Sequence, residues 1–188
     1  EKVSLLESLG RVIAEDISAE RDIPPLDNSA MDGYALKFED VQKASPDHPV
    51  RLEVIEDLPA GFISKKKLER GKSIRIMTGA PIPKGADAVI PVEETKKEDG
   101  SVLIFKVAGL GENIRKSGED VKKGDRVISK GDTIRPAEVG MLASVKRSFV
   151  SVYQRPLVAI LCTGDELIDV DGELNEVKII SSNSYTLA

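Results

Sequence analysis

Five glycines, at positions 109, 111, 118, 124 and 131, cut residues 109–135 into pieces too short for helices. Only short apolar fragments stand between them: Ile114, Val121, Val127-Ile128 and Ile134. This spacing predicts short strands joined by tight turns, because glycine supplies the backbone angles that turns need. Residues 50–108 extend the reading. "VRLEVIEDL" sets Leu52, Val54 and Leu58 among charged neighbours, the pattern of a half-buried strand. "KSIRIMTG", "ADAVIPVEE" and "SVLIFKVAG" read as further strands; "APIPKGAD" is a loop by its proline and glycine, and "KEDG" a turn. The chain is expected to be mostly β.

Helix signals are few. "VSLLESLG" offers Ser4 as an N-cap, Glu7 three residues on as in a capping box, and Gly10 as a stop. "RPAEVGMLASV" places Pro136 at a first helical position. "RVIAEDI" and "SFVSVYQRP" read as strands on either side. After Pro156 the texture changes. "LVAILCTGDEL" is continuously apolar, which fits a strand buried on both faces of a parallel sheet. "VKIISSNSYTLA" repeats the idea, a short strand followed by a helix start. Together they read as the opening of an α/β domain that residues 156–188 are too few to close.

Composition narrows the function. Hydrophobic residues make up 40% and aromatics 4% with no Trp, so the core must rest on Val, Ile and Leu. The 27 basic residues stand against 32 acidic ones, a net charge of -5, which argues against a nucleic-acid surface. A single cysteine, Cys162, excludes an internal disulfide and points to a reducing cytoplasm. With one histidine, His48, clustered Cys/His zinc sites are excluded and His-based triads have little support. An oxygen-ligand site for Mg²⁺ remains open. No run approaches the roughly 20 apolar residues of a membrane helix, and "EKVSLLESLG" does not read as a signal peptide.

Short motifs give weak signals. "VKKGDRVISKGDTI" has the Gly-Asp spacing of lipoyl and biotinyl carriers but no carrier lysine context, so its Gly-Asp pairs read as turns. "GLGENI" lacks the third glycine and the preceding strand of a dinucleotide site. Four residues stand out by their glycine-bordered settings: Asp32 in "MDGY", Thr78 in "IMTGAP", Asp120 in "SGED" and Glu166 in "TGDE". Taken singly, each suits a turn or a helix start. Taken together, they suit a site for a cation and an oxyanion- or phosphate-bearing ligand. Arg75 and Arg115, beside two of these loops, suit the anionic part, although each also suits an ordinary surface ion pair.

"PPLDNSAMDGYA", "IRIMTGAPIPKGADAVIPVEE", "GENIRKSGEDVKKGD" and "RPLVAILCTGDEL", in this order and spacing, resemble the molybdopterin molybdenumtransferases, the family of bacterial MoeA and the gephyrin E domain. The resemblance runs from about Val3 to Leu187. It implies an α+β, mostly β fold in three parts: a discontinuous first domain, residues 1–26 plus 119–155, with a dimerisation or linker role; an inserted β-rich domain, residues 27–118; and the start of an α/β molybdopterin-binding domain, residues 156–188. It further implies a reaction in which adenylylated molybdopterin and molybdate, with Mg²⁺, yield molybdenum cofactor and AMP. Asp32, Thr78, Asp120 and Glu166 take the catalytic positions by resemblance. Arg75, Arg115, Ser29, Thr163 and Asp165 are the expected substrate contacts; metal ligands are not specified. Family members are cytoplasmic homodimers supplied by a molybdopterin adenylyltransferase, with Glu166 meeting the other three across the dimer. The resemblance also implies that residues 1–188 alone are inactive. The competing reading is a non-catalytic dimeric scaffold of the gephyrin type.

Overall fold

The structure is a computed structural model describing residues 1–188. The chain divides into two compact units, residues 2–152 and, together with Glu1, residues 153–188. The first unit is dominated by a six-stranded sheet in the order Ala88–Pro91, Gly33–Leu36, Lys72–Ile76, Val50–Leu58, Ser101–Ile104, Thr95–Glu98. All neighbours are antiparallel except Val50–Leu58 and Lys72–Ile76.

Both faces of this sheet are covered. Alternation sends Tyr34 and Leu36 to one face, where they pack with Leu52, Ile90, Val102 and Ile104. Ala35 points to the other, with Leu58, Leu68, Ile74, Ile76 and Val89. Burial on both sides explains why every residue of Gly33–Leu36 is buried. Pairing also fixes which loops share an end of the sheet. Gly33 lies opposite Ile76 and Pro91, and Leu58 lies opposite Ile76. Asp32, the segment to Thr78, Pro59 and Val92 therefore all leave the sheet at one end.

A separate cluster joins residues from both ends of the same unit: Ile13, Ile17 and Ala19 with Ile128, Ile134, Leu142, Val150 and Val152. Short ladders frame it, Lys2–Ser4 with Phe149–Ser151 and Ile17–Ser18 with Arg126–Ile128. The glycine-cut segment behaves as its spacing predicts; Gly124 and Gly131 take φ of +93° and +97° at the turns.

The helix Pro136–Ser144 starts where the proline indicates. Glu138 reaches back to the Arg135 amide at 2.9 Å and takes the Arg135 guanidinium. These contacts, the guanidinium first, draw its pKa from 4.5 to about 2. A depressed carboxylate contributes stability that is complete above the unfolded value and lost as pH falls through the folded one. Glu138→Gln should therefore cost stability above pH 4.5, with the difference from the parent fading toward pH 2. Urea unfolding across that range checks this; a difference independent of pH contradicts it.

Three expectations need correction. "VSLLESLG" forms one 3-10 turn, Leu6–Ser8, capped at Leu5 with no side-chain cap bond, although the Ser4 hydroxyl and amide donate to Glu7 at 2.6 and 3.3 Å. Lys2–Ser4 is instead drawn into its ladder with Phe149–Ser151. "RVIAEDI" is not one strand: it makes isolated bridges at Val12 and Ile13 before the pair Ile17–Ser18. "LVAILCTGDEL" is not a buried strand, with Leu157 and Leu161 exposed at 102% and 87%. A strand apolar on both faces needs covering layers, and none covers these residues. In the second unit Leu167–Ile168 pairs in parallel with Ile179–Ile180, ahead of the helix Ser182–Thr186. No helix is long and apolar enough to cross a membrane.

Candidate functional site

Asp32 is exposed at the sheet end, immediately before Gly33. Its backbone carbonyl accepts the Val92 amide at 2.9 Å, which fixes the main chain there. Gly33 is required: a Cβ on it would lie 2.0 Å from the Ile90 carbonyl oxygen. The Asp32 side chain meets the loop that follows Ile76. Its Oδ1 accepts both the amide and the hydroxyl of Thr78, each at 2.7 Å. The other oxygen, Oδ2, takes no hydrogen bond from the protein. The Thr78 amide, then its hydroxyl and, more weakly, the charge of Arg75 hold the Asp32 carboxyl below the usual aspartate range.

Removing the hydroxyl alone separates these contributions. Thr78→Val should raise the Asp32 pKa only part of the way to its ordinary 3.8, because the amide bond stays. Carboxyl-carbon NMR titration reads this; no shift would show that the hydroxyl contributes nothing.

Arg75 is half-buried and sits in register with Tyr34 on one side and Asp57 on the other. It borders a cavity of about 560 Å³ together with both. Arg115, by contrast, is engaged through Nε and Nη2. Its Nε donates to Glu119 at 2.8 Å, and Nη2 donates to both oxygens of Asp120 at 3.0 and 2.8 Å. Glu119 and then Asp120 raise the Arg115 pKa. The guanidinium expected on a substrate anion therefore holds Asp120 in this structure.

Ser29 also differs from expectation. It is fully buried and its hydroxyl donates to the Met31 carbonyl at 2.6 Å, so in this structure the side chain shapes the loop. Glu166, Thr163 and Asp165 are exposed in the second unit. The Glu166 carboxylate lies over Gly164, where a Cβ would come within 2.6 Å of it. Lys178 Nζ donates to the Asp165 carbonyl. No three or more His, Cys, Asp or Glu side chains group closely enough to hold a metal ion by themselves.

The structure thus joins Asp32 to Thr78 directly and Asp120 to Arg115. Sequence reading missed Asp22, Asp27 and Glu119, which bind backbone amides of the 116–123 segment. The amides held by Asp27 and Asp22 lie 90 and 101 residues away, a separation no local motif encodes, whereas Glu119 holds Lys116 only three residues back.

The fold thus fixes an exposed carboxylate at a sheet end against a Thr-Gly loop on a mostly β scaffold. A family model described as the MoeA N-terminal region (domain I and II) matches residues 1–145. The chain belongs to this MoeA family. It is 39% identical to the molybdopterin molybdenumtransferase of Nostoc sp., aligned over 100% of this chain and 43% of that protein. It is 41% identical to the molybdopterin molybdenumtransferase of Bacillus subtilis, over 98% of this chain and 44% of that protein. A crystal structure of the molybdopterin biosynthesis MoeA protein from Pyrococcus horikoshii OT3 matches with a TM-score of 0.94 at 46% identity, covering 100% of this chain and 50% of that one. The chain spans about half the length of the relatives it matches.

Proposed function

We propose that the protein acts in molybdenum cofactor biosynthesis, inserting molybdate into adenylylated molybdopterin with release of AMP. The names of the relatives support the pathway, and the Asp32–Thr78 pair carries the chemical reading. A general base works best with a pKa near the operating pH. Asp32 is shifted the other way, so its role is a permanent negative charge with one oxygen left open. That suits placement of a cation. Mg²⁺ keeps several waters and binds through one or two carboxylates plus substrate phosphates, so Asp32 Oδ2 fits it without a cluster of acids. When bound, the ion neutralises developing phosphate charge. Thr78 orients the carboxylate, Arg75 adds positive charge beside it, and Asp120 is aimed by Arg115.

The working unit is a cytoplasmic homodimer in which the partner subunit's Glu166 completes the site, with Thr163 and Asp165 beside it on the substrate. Residues 1–26 plus 119–155 form the dimerising domain and 27–118 the inserted domain; the core clusters support this division. A molybdopterin adenylyltransferase supplies the substrate, and residues 1–188 alone do not complete the reaction. The test is rescue of molybdoenzyme activity in a strain lacking the transferase. The full-length protein should restore it. A folded, dimeric full-length protein that fails to do so would favour a scaffold role.

A further inference from the structure

Three segments bear the groups assigned to this site: residues 27–32 carry Asp32, 78–82 carry Thr78, and 115–120 carry Arg115 and Asp120. They meet at Asp27. Its backbone carbonyl accepts the Ile82 amide at 2.9 Å. Its Oδ1 accepts the Ser117 amide at 2.8 Å, and its Oδ2 accepts Lys116 Nζ at 2.9 Å. The next two residues continue the junction. Asn28 pairs with Arg115 and bridges to Pro81. Ser29 pairs with Ile114, donates its amide to Ala80 at 3.0 Å and accepts the Gly79 amide at 2.8 Å. Residues 27–29 are thus the middle of three extended segments.

We infer that Asp27 is a positioning residue whose carboxylate keeps the segment carrying Asp120 in register with Asp32. The inference rests on the function proposed above. Main-chain pairing alone does not achieve this on the Asp120 side, because the ladder stops at Arg115. Beyond it the chain turns, and the Asp27 carboxylate holds the next two residues, Lys116 and Ser117. Glu119 then accepts the Lys116 amide at 2.8 Å while gripping Arg115, which aims Asp120. The Lys116 ammonium, and secondly the Ser117 amide, keep the Asp27 carboxyl ionised, so the clamp is closed at neutral pH. Misplacing a catalytic group by about 1 Å costs roughly 10²-fold in rate, which gives a clamp of this kind a measurable effect.

The test compares Asp27→Ala, Asp27→Asn and Asp32→Ala in the full-length protein. Asp27→Ala should lower kcat for cofactor formation by roughly 10-fold to 100-fold, with KM for adenylylated molybdopterin and Tm near those of the parent. Asp27→Asn keeps an acceptor for Ser117 but loses the charge facing Lys116, and should fall between. It decides the matter if the alanine variant does not fold. Amide hydrogen exchange gives a readout independent of activity: Ser117 and its neighbour Gly118 should exchange faster in Asp27→Ala, while Thr78, held by Asp32, should not. Parental kcat and unchanged exchange at Ser117 in the folded Asp27 variants would overturn the inference. If Asp32→Ala is inactive in the same assay, that result overturns this inference alone; parental activity in Asp32→Ala overturns the function on which it rests.

Discussion

Asp32→Ala in the full-length protein should reduce the rate of cofactor formation by about 10²–10³-fold, the usual loss when a group that stabilises charge at a reacting centre is removed. Asp32→Asn should be nearly as poor. It can still accept the Thr78 bonds that Oδ1 accepts now, but it lacks the charge. If asparagine restored activity, the carboxylate would matter only as an acceptor and the cation-placing role would fail. Folding should be little affected, since Asp32 is exposed and water replaces the bonds its carboxylate loses. Steady-state rates, read by reconstitution of an apo-molybdoenzyme, with Tm measured in parallel, separate the two effects.

Gly33→Ala should give the largest loss of stability of any small change near the site. The added methyl would sit 2.0 Å from the Ile90 carbonyl oxygen and 2.9 Å from its carbon. Both atoms belong to the backbone of the paired strand Ala88–Pro91, so no rotamer change relieves the clash. Overpacking costs about 1–3 kcal/mol even where side chains can adjust; here about 3 kcal/mol or more is expected, a drop in Tm of roughly 10 °C. Gly61, where the same methyl meets nothing within 4 Å, is the comparison. Its φ of +85° disfavours alanine but involves no clash, so the Gly33 loss should exceed it. Gly33 itself has no positive φ, so a loss at Gly33 no larger than at Gly61 would mean that the strand Ala88–Pro91 shifts to admit the methyl.

The sheet was legible where periodicity and punctuation agreed. "VRLEVIEDL" became Val50–Leu58, "KSIRIMTG" became Lys72–Ile76, and Pro136 opened its helix. Reading failed where tertiary partners decide. Lys2–Ser4 joins a ladder with residues 149–151 that no local signal in "EKVSLLESLG" announces. The apolar run after Pro156 has a strand's composition without the layers that make it one. At the site, the residue types were readable and their pairing was not. Thr78 stands 46 positions from Asp32, and only the antiparallel pairing of Gly33–Leu36 with Lys72–Ile76 brings them together. Arg115 illustrates the reverse: an arginine beside a glycine-bordered acid suggests an anion site, whereas the fold folds it back onto Glu119 and Asp120. Asp27 carries no local signal of its role, because its partners lie 89 and 90 positions away.

Release of AMP from adenylylated molybdopterin by the full-length protein, followed with and without molybdate in the presence of Mg²⁺, tests the proposed function most directly. The expected result is molybdate-dependent release, matched one for one by molybdenum-loaded cofactor and abolished in Asp32→Ala. Release that ignores molybdate, or that proceeds equally in Asp32→Ala, would contradict it.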